Sequence, residues 1–81
     1  MENWKEVNHS LNASFKFESF IAAWGFMNQV ALIAEKMNHH PNWSNSYNQV
    51  HISLSTHDAD DTVTWKDWEL AEKITNLLKN K

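Results

Sequence analysis

The stretch FIAAWGFMNQVALIAEKMNHHP, Phe20 to Pro41, breaks the period of its neighbours and decides the fold. Phe20, Ala23, Trp24, Met27, Val30, Ala31, Ala34 and Met37 recur at steps of three and four, the stripe of an amphipathic helix. The helix is expected from about Glu18 to Met37, and ~20 residues would span roughly 30 Å. Pro41 disfavours helical geometry at His40, so the helix should end near Asn38. Phe26 and Ile33 widen the stripe beyond what one sheet face needs. Either the core is thick, or part of this helix meets another subunit.

On both sides of the helix the period falls to two. Leu11, Ala13, Phe15 and Phe17 alternate with Asn12, Ser14 and Lys16, and Val50, Ile52 and Leu54 alternate with His51, Ser53 and Ser55. The second strand is expected to begin at Tyr47. A short edge strand in WKEVNHS, turning at Asn8–Ser10, precedes the first. After the acidic turn HDADD, Thr64 opens a second helix with a capping-box-like T-x-x-D to Asp67. Its buried stripe is expected to comprise Trp68, Ala71, Ile74 and Leu78, with Leu70 and Leu77 beside them. One more short strand near Asp61–Val63 is possible. These elements predict an α+β domain over 1–81, an antiparallel sheet of three to four strands with two helices packed on one face.

Eighty-one residues lie near the lower size at which one core suffices. There is no cysteine, which excludes disulfides and thiolate zinc sites. Oligomerisation is the remaining common remedy, and five Trp and four Phe supply apolar area for a homodimer or homotetramer. No apolar run approaches the ~20 residues of a membrane span, and no signal peptide precedes Asn3, so a cytoplasmic location is expected. The net charge is -3, and all seven basic residues are Lys. Direct nucleic-acid binding is not expected, because phosphate backbones demand clustered cations and Arg forks read guanine and phosphate. Gly25 is the only glycine, so a glycine-rich phosphate loop is excluded as well.

Four of the five histidines fall between Glu35 and Asp58. They could be metal ligands, acid–base catalysts or polar turn residues. His39 and His40 follow the end of the long helix, where partial negative charge favours a protonated imidazole. Glu35 lies one helical turn before His39 and is expected to reach its ring. His57 follows a strand end, beside Asp58. If these two ends share a rim, His39, His40 and His57 can donate a proton at one point of a substrate and accept one at another. Trp43, held near by Pro41, would supply a flat wall for a planar ring. Zinc ligation lacks the usual H-x-x-x-H helical spacing. His9 and His51 belong to a turn and an alternating strand.

The run EKMNHHPNWSNSYNQVHISLSTHD closely resembles the signature of the pterin-4a-carbinolamine dehydratases, also known as dimerisation cofactors of a homeodomain transcription factor. Glu35, His39, His40, Pro41, Tyr47 and His51 carry the likeness, followed by Ser55–His57. The helix GFMNQVALIAEKMNHHP and Asp67 within KDWELA look like that family too. Relatives often carry a helix before the first strand, and this chain opens almost at that strand. The resemblance implies dehydration of 4a-hydroxytetrahydropterin to quinonoid dihydropterin in tetrahydrobiopterin recycling. Histidine acid–base catalysis of this kind calls for no metal and no organic cofactor. Ser55, Thr56 and the backbone around Asp58 and Ala59 would meet the pterin's polar edge. The rival expectation is a non-enzymatic oligomeric interaction module or transcriptional coactivator, whose long helix docks onto a partner helix.

Overall fold

The structure, a computed structural model, describes residues 3–79. In chain order it comprises β1 (Lys5–Val7), β2 (Ser10–Lys16), α1 (Phe20–Met37), β3 (Asn42–Ser46), β4 (Gln49–Leu54), a 3-10 turn (His57–Ala59) and α2 (Trp65–Lys79). The strands form one sheet in the order β1-β2-β4-β3, with every neighbouring pair antiparallel. This is the α+β architecture the periodicity predicts.

Register explains why both helices cover one face. Leu11, Ala13 and Phe15 on β2 stand opposite Leu54, Ile52 and Val50 on β4, and all six are buried. Asn12, Ser14 and Lys16 stand opposite Ser53, His51 and Gln49, leaving a polar face to water. Asn8 and His9, with φ of 51° and 67°, make the two-residue turn between β1 and β2. Positive φ at both positions matches the right-handed twist of a hairpin.

The fourth strand is not where the sequence suggests. Near Asp61–Val63 there is only an isolated bridge, Thr56 to Thr62. The strand is β3, whose segment NWSNS shows no alternation because Trp43, opposite Ile52, is its single large apolar residue. Tyr47 lies in the β3–β4 turn at φ 51° rather than on the strand. Asn48 ties this turn to the end of β2: its side chain donates to the Phe17 carbonyl at 2.8 Å, and its carbonyl accepts from Phe17 N–H at 2.8 Å.

Helix α1 starts at Ser19, whose hydroxyl accepts from Ala22 N–H at 3.1 Å. It ends as expected at Asn38, which takes a left-handed conformation (φ 53°, ψ 42°). Asn38 N–H donates to Glu35 O and His39 N–H to Ala34 O, each at 3.1 Å. This pair of bonds is a Schellman closure, and it fixes the direction in which His39 leaves the helix. Ala23, Phe26, Met27, Val30 and Ala34 face the core. Phe20 and Trp24 do not: they are 46% and 48% exposed and stack on each other at 6.3 Å. Ala31 is exposed too, so the wide stripe is two lines of residues, one buried and one facing solvent.

In α2 the inward face is Asp67, Leu70, Ala71 and Ile74. Trp68, expected in the stripe, is 41% exposed, because burying Asp67 turns the helix about one residue away from it. Among the described residues no helix is long and apolar enough to cross a membrane.

Candidate active site

The end of α1, the end of β4, the 3-10 turn and the start of α2 meet around a depression of about 290 Å³. Its walls are Asn38, His39 and His40 from the first, Ser55 and Thr56 from the second, His57 and Asp58 from the third, and Lys66 from the last. A larger groove of about 520 Å³ runs between the helices past Ile33, Met37 and Lys73, but it contains no histidine. The smaller depression holds the acid–base groups, and it is the candidate site.

Each histidine here has its own carboxylate. His39 Nε2 lies 2.6 Å from Asp67 Oδ1, and these side chains are 11% and 0% exposed. His40 Nε2 lies 2.9 Å from Glu35 Oε1, at 57% and 81% exposure. His57 Nδ1 lies 3.2 Å from Asp61 Oδ1, at 92% and 71%. Among the described residues no group of three His, Cys, Asp or Glu side chains is gathered about one point as a metal site would be.

Glu35 therefore does not reach His39, as the helical spacing suggests. The Schellman turn at Asn38 breaks the helical register between Glu35 and His39, so the i, i+4 rule no longer holds across it. His39 instead points to a carboxylate 28 residues away, on α2.

Asp67 is the centre of the network. Its Oδ2 accepts from Thr56 Oγ1–H and from Thr64 N–H, both at 2.8 Å. The second bond is half of the predicted capping box, and Lys66 N–H completes the cap by donating to Thr64 Oγ1 at 3.3 Å. Thr56 and Thr64 hydroxyl oxygens are 2.6 Å apart. Since Thr56 gives its only hydroxyl proton to Asp67, Thr64 must donate to Thr56. With Oδ2 so occupied, Oδ1 accepts the Nε2–H of His39. The ring's other nitrogen, Nδ1, has no protein partner among the described residues.

Five residues expected to meet a ligand take other places. Thr56 is buried, and its hydroxyl proton, its N–H (to Thr62 O, 2.8 Å) and its carbonyl (from Ala59 and Asp61 N–H, 3.1 Å each) are all engaged. It braces the site and has no donor left for a ligand. Ala59 spends its N–H on Thr56 and its carbonyl on Thr62 Oγ1 at 2.7 Å, and it does not line the depression. Trp43 packs half-buried against the core on β3 and is not among the lining side chains. Pro41 and Glu35 are not among the lining residues, and Glu35 reaches the site only through its contact with His40. His39, His40, His57, Ser55 and Asp58 are brought together as expected.

A family model for pterin 4 alpha carbinolamine dehydratase matches residues 1–77. The chain belongs to the pterin-4a-carbinolamine dehydratase family. A relative from Prochlorococcus marinus (strain NATL2A), which carries the provisional name pterin-4-alpha-carbinolamine dehydratase, is 47% identical over 78 residues, 96% of this chain and 81% of its own. One from Solibacter usitatus with the same provisional name is 51% identical over 74 residues, 91% and 77%. The crystal structure of a transcriptional coactivator/pterin dehydratase from Brucella melitensis superposes with a TM-score of 0.88 at 42% identity, covering 94% of this chain and 82% of that one. A pterin dehydratase-like RuBisCO assembly factor of the alpha-carboxysome shares the fold at a TM-score of 0.79 and 22% identity, covering 93% and 88%.

Three members of this candidate site escape local sequence reasoning. Asn38 enters as the helix-ending residue, and Lys66 enters because the cap at Thr64 brings the first turn of α2 to the rim. Asp67 carried a signal of its own. A T-x-x-D cap uses one carboxylate oxygen and leaves the other to be accounted for.

Proposed function

We propose that this chain dehydrates a 4a-hydroxytetrahydropterin to the quinonoid dihydropterin and water, as a step in tetrahydrobiopterin recycling. The observation that carries the reading is His39, held at Nε2 by buried Asp67 in a depression shared with His40 and His57. The reaction breaks the C4a–O bond and the N5–H bond and forms C4a=N5. It needs one group to protonate the departing hydroxyl and another to take the N5 proton. Nδ1 of His39 suits the base: Asp67 engages Nε2–H, which orients the ring and fixes the tautomer with Nδ1 unprotonated, the arrangement that makes a histidine–aspartate couple effective. His57 or His40, each beside an exposed carboxylate, suits the acid. Glu35, which the helical spacing assigns to His39, lies at His40 instead. Ser55 and Asp58 on the wall are the groups offered to the pterin's polar edge.

Stopped-flow turnover of a freshly generated 4a-carbinolamine by purified protein tests the reading. Acceleration over the uncatalysed loss of water supports it, and equal rates with and without protein refute it. Assembly is the second element of the proposal. Phe20, Ile21, Trp24 and Leu32 lie exposed along α1, an apolar line suited to contact with a second copy in a homodimer or homotetramer. Light scattering that returned a stable 9.5 kDa monomer would remove it. The same line favours the interaction-module reading, in which binding of a partner helix is indifferent to the histidines.

A further inference from the structure

A contact of 2.6 Å between His39 Nε2 and Asp67 Oδ1 can be made with the protons arranged in two ways. In one, Asp67 is an anion and His39 carries its proton at Nε2, which leaves Nδ1 free to accept from the depression. In the other, Asp67 is a neutral acid that donates to Nε2, and the ring carries its proton at Nδ1. Only the first lets Nδ1 take a proton from a substrate. Asp67 is fully buried, and loss of water disfavours a charged carboxylate unless hydrogen bonds compensate. The choice therefore falls to the donors at Oδ2.

Two donors meet that oxygen, each at 2.8 Å, and they differ in kind. Thr64 N–H belongs to the backbone, and any residue but proline would supply it. Thr56 Oγ1–H belongs to a buried side chain, and Thr64 Oγ1 stands 2.6 Å behind it. With Thr64 donating to Thr56 and Thr56 to Asp67, both hydroxyl protons run toward one carboxylate oxygen, and each bond polarises the next. Such a donor is about twice as strong toward a charged acceptor as toward a neutral one. We infer that the Thr64–Thr56 hydroxyl chain holds Asp67 as an anion and so sets the Nε2–H tautomer of His39. Thr56 is then a positioning residue for the proposed proton acceptor. The inference rests on the dehydratase reading for what the tautomer does, and its test reads the tautomer without substrate.

Long-range proton–nitrogen NMR of the His39 ring, recorded with the imidazole neutral, tells which nitrogen carries the proton. Wild type should show Nε2–H. Thr56→Val should move the ratio of Nε2–H to Nδ1–H toward Nδ1–H by about 10-fold, the effect of one lost charge-assisted bond. Thr56→Ser, which keeps the hydroxyl, should keep the wild-type state. Across the three proteins, kcat/KM for a 4a-carbinolamine should follow the Nε2–H fraction. Should Thr56→Val fail to fold, Thr56→Ala removes the same hydroxyl and is read in the same way. Nδ1–H in wild type overturns the inference, and so does a ratio that the loss of the hydroxyl leaves unchanged. Loss of turnover with the tautomer unchanged also overturns it, because Thr56 then acts through the fold alone. A tautomer that shifts as expected in a protein that does not turn over a carbinolamine supports the hydroxyl chain and overturns the dehydratase reading.

Discussion

The pairs His39–Asp67 and His57–Asp61 are chemically the same and physically opposite. One is short and enclosed, at 2.6 Å with a fully buried carboxylate; the other is 3.2 Å long with both side chains mostly in water. In water an ion pair gains little, because the dielectric weakens it and salt screens it. A buried carboxylate is different, since every donor aimed at it loses its partner when it is removed. Asp67 joins the end of α1, the end of β4 and the start of α2 through three such donors. Asp61 restrains one ring in a turn. Burial, rather than residue type, makes one pair part of the scaffold and leaves the other a solvent-exposed contact.

The contrast breaks most visibly in stability. Asp67→Ala should cost about 2–4 kcal/mol in urea unfolding, from orphaned donors and the lost cap, whereas Asp61→Asn, which tolerates the left-handed φ of 58° there, should stay within about 0.5 kcal/mol. Equal midpoints for the two variants would show that the buried network does not stabilise the fold. Asp67→Asn sharpens the chemistry apart from the fold, because it keeps the shape but can present N–H to the ring. Its kcat/KM for carbinolamine dehydration should fall by about 10²–10³-fold while the protein stays folded by circular dichroism. A fall of less than threefold would mean that Asp67 only holds the helices in place. The smallest effect is expected from Glu35→Gln, whose carboxylate is 81% exposed: a change of about threefold or less in the same assay. A loss as large as that of Asp67→Asn would move the catalytic weight to His40.

Much of the fold is legible in the sequence because alternation and helical spacing are local signals. Leu11 to Phe15, Val50 to Leu54, the end of α1 at Asn38 and the Thr64–Asp67 cap all follow from residues within a few positions of one another. Strand β3 does not, because NWSNS is held by its pairing with β4 rather than by a pattern of its own. Phe20 and Trp24 share the helical period of the core residues, and periodicity alone cannot tell a buried line from an exposed one. In the site, the three histidines could be gathered from the helix-end and strand-end argument. Their partners could not. Glu35 is displaced from His39 by a left-handed residue, and Asp67 reaches His39 only through the packing of α2 beside α1.

The central claim is that the enclosed imidazole carries the proton transfer that matters most, with the exposed one in a lesser part. It is tested most directly by kcat/KM for 4a-carbinolamine dehydration, measured side by side in His39→Ala and His57→Ala. The account predicts a loss of about 10²–10³-fold for His39→Ala, at least about 10-fold greater than that for His57→Ala. A His57→Ala loss equal to or larger than that of His39→Ala would contradict it.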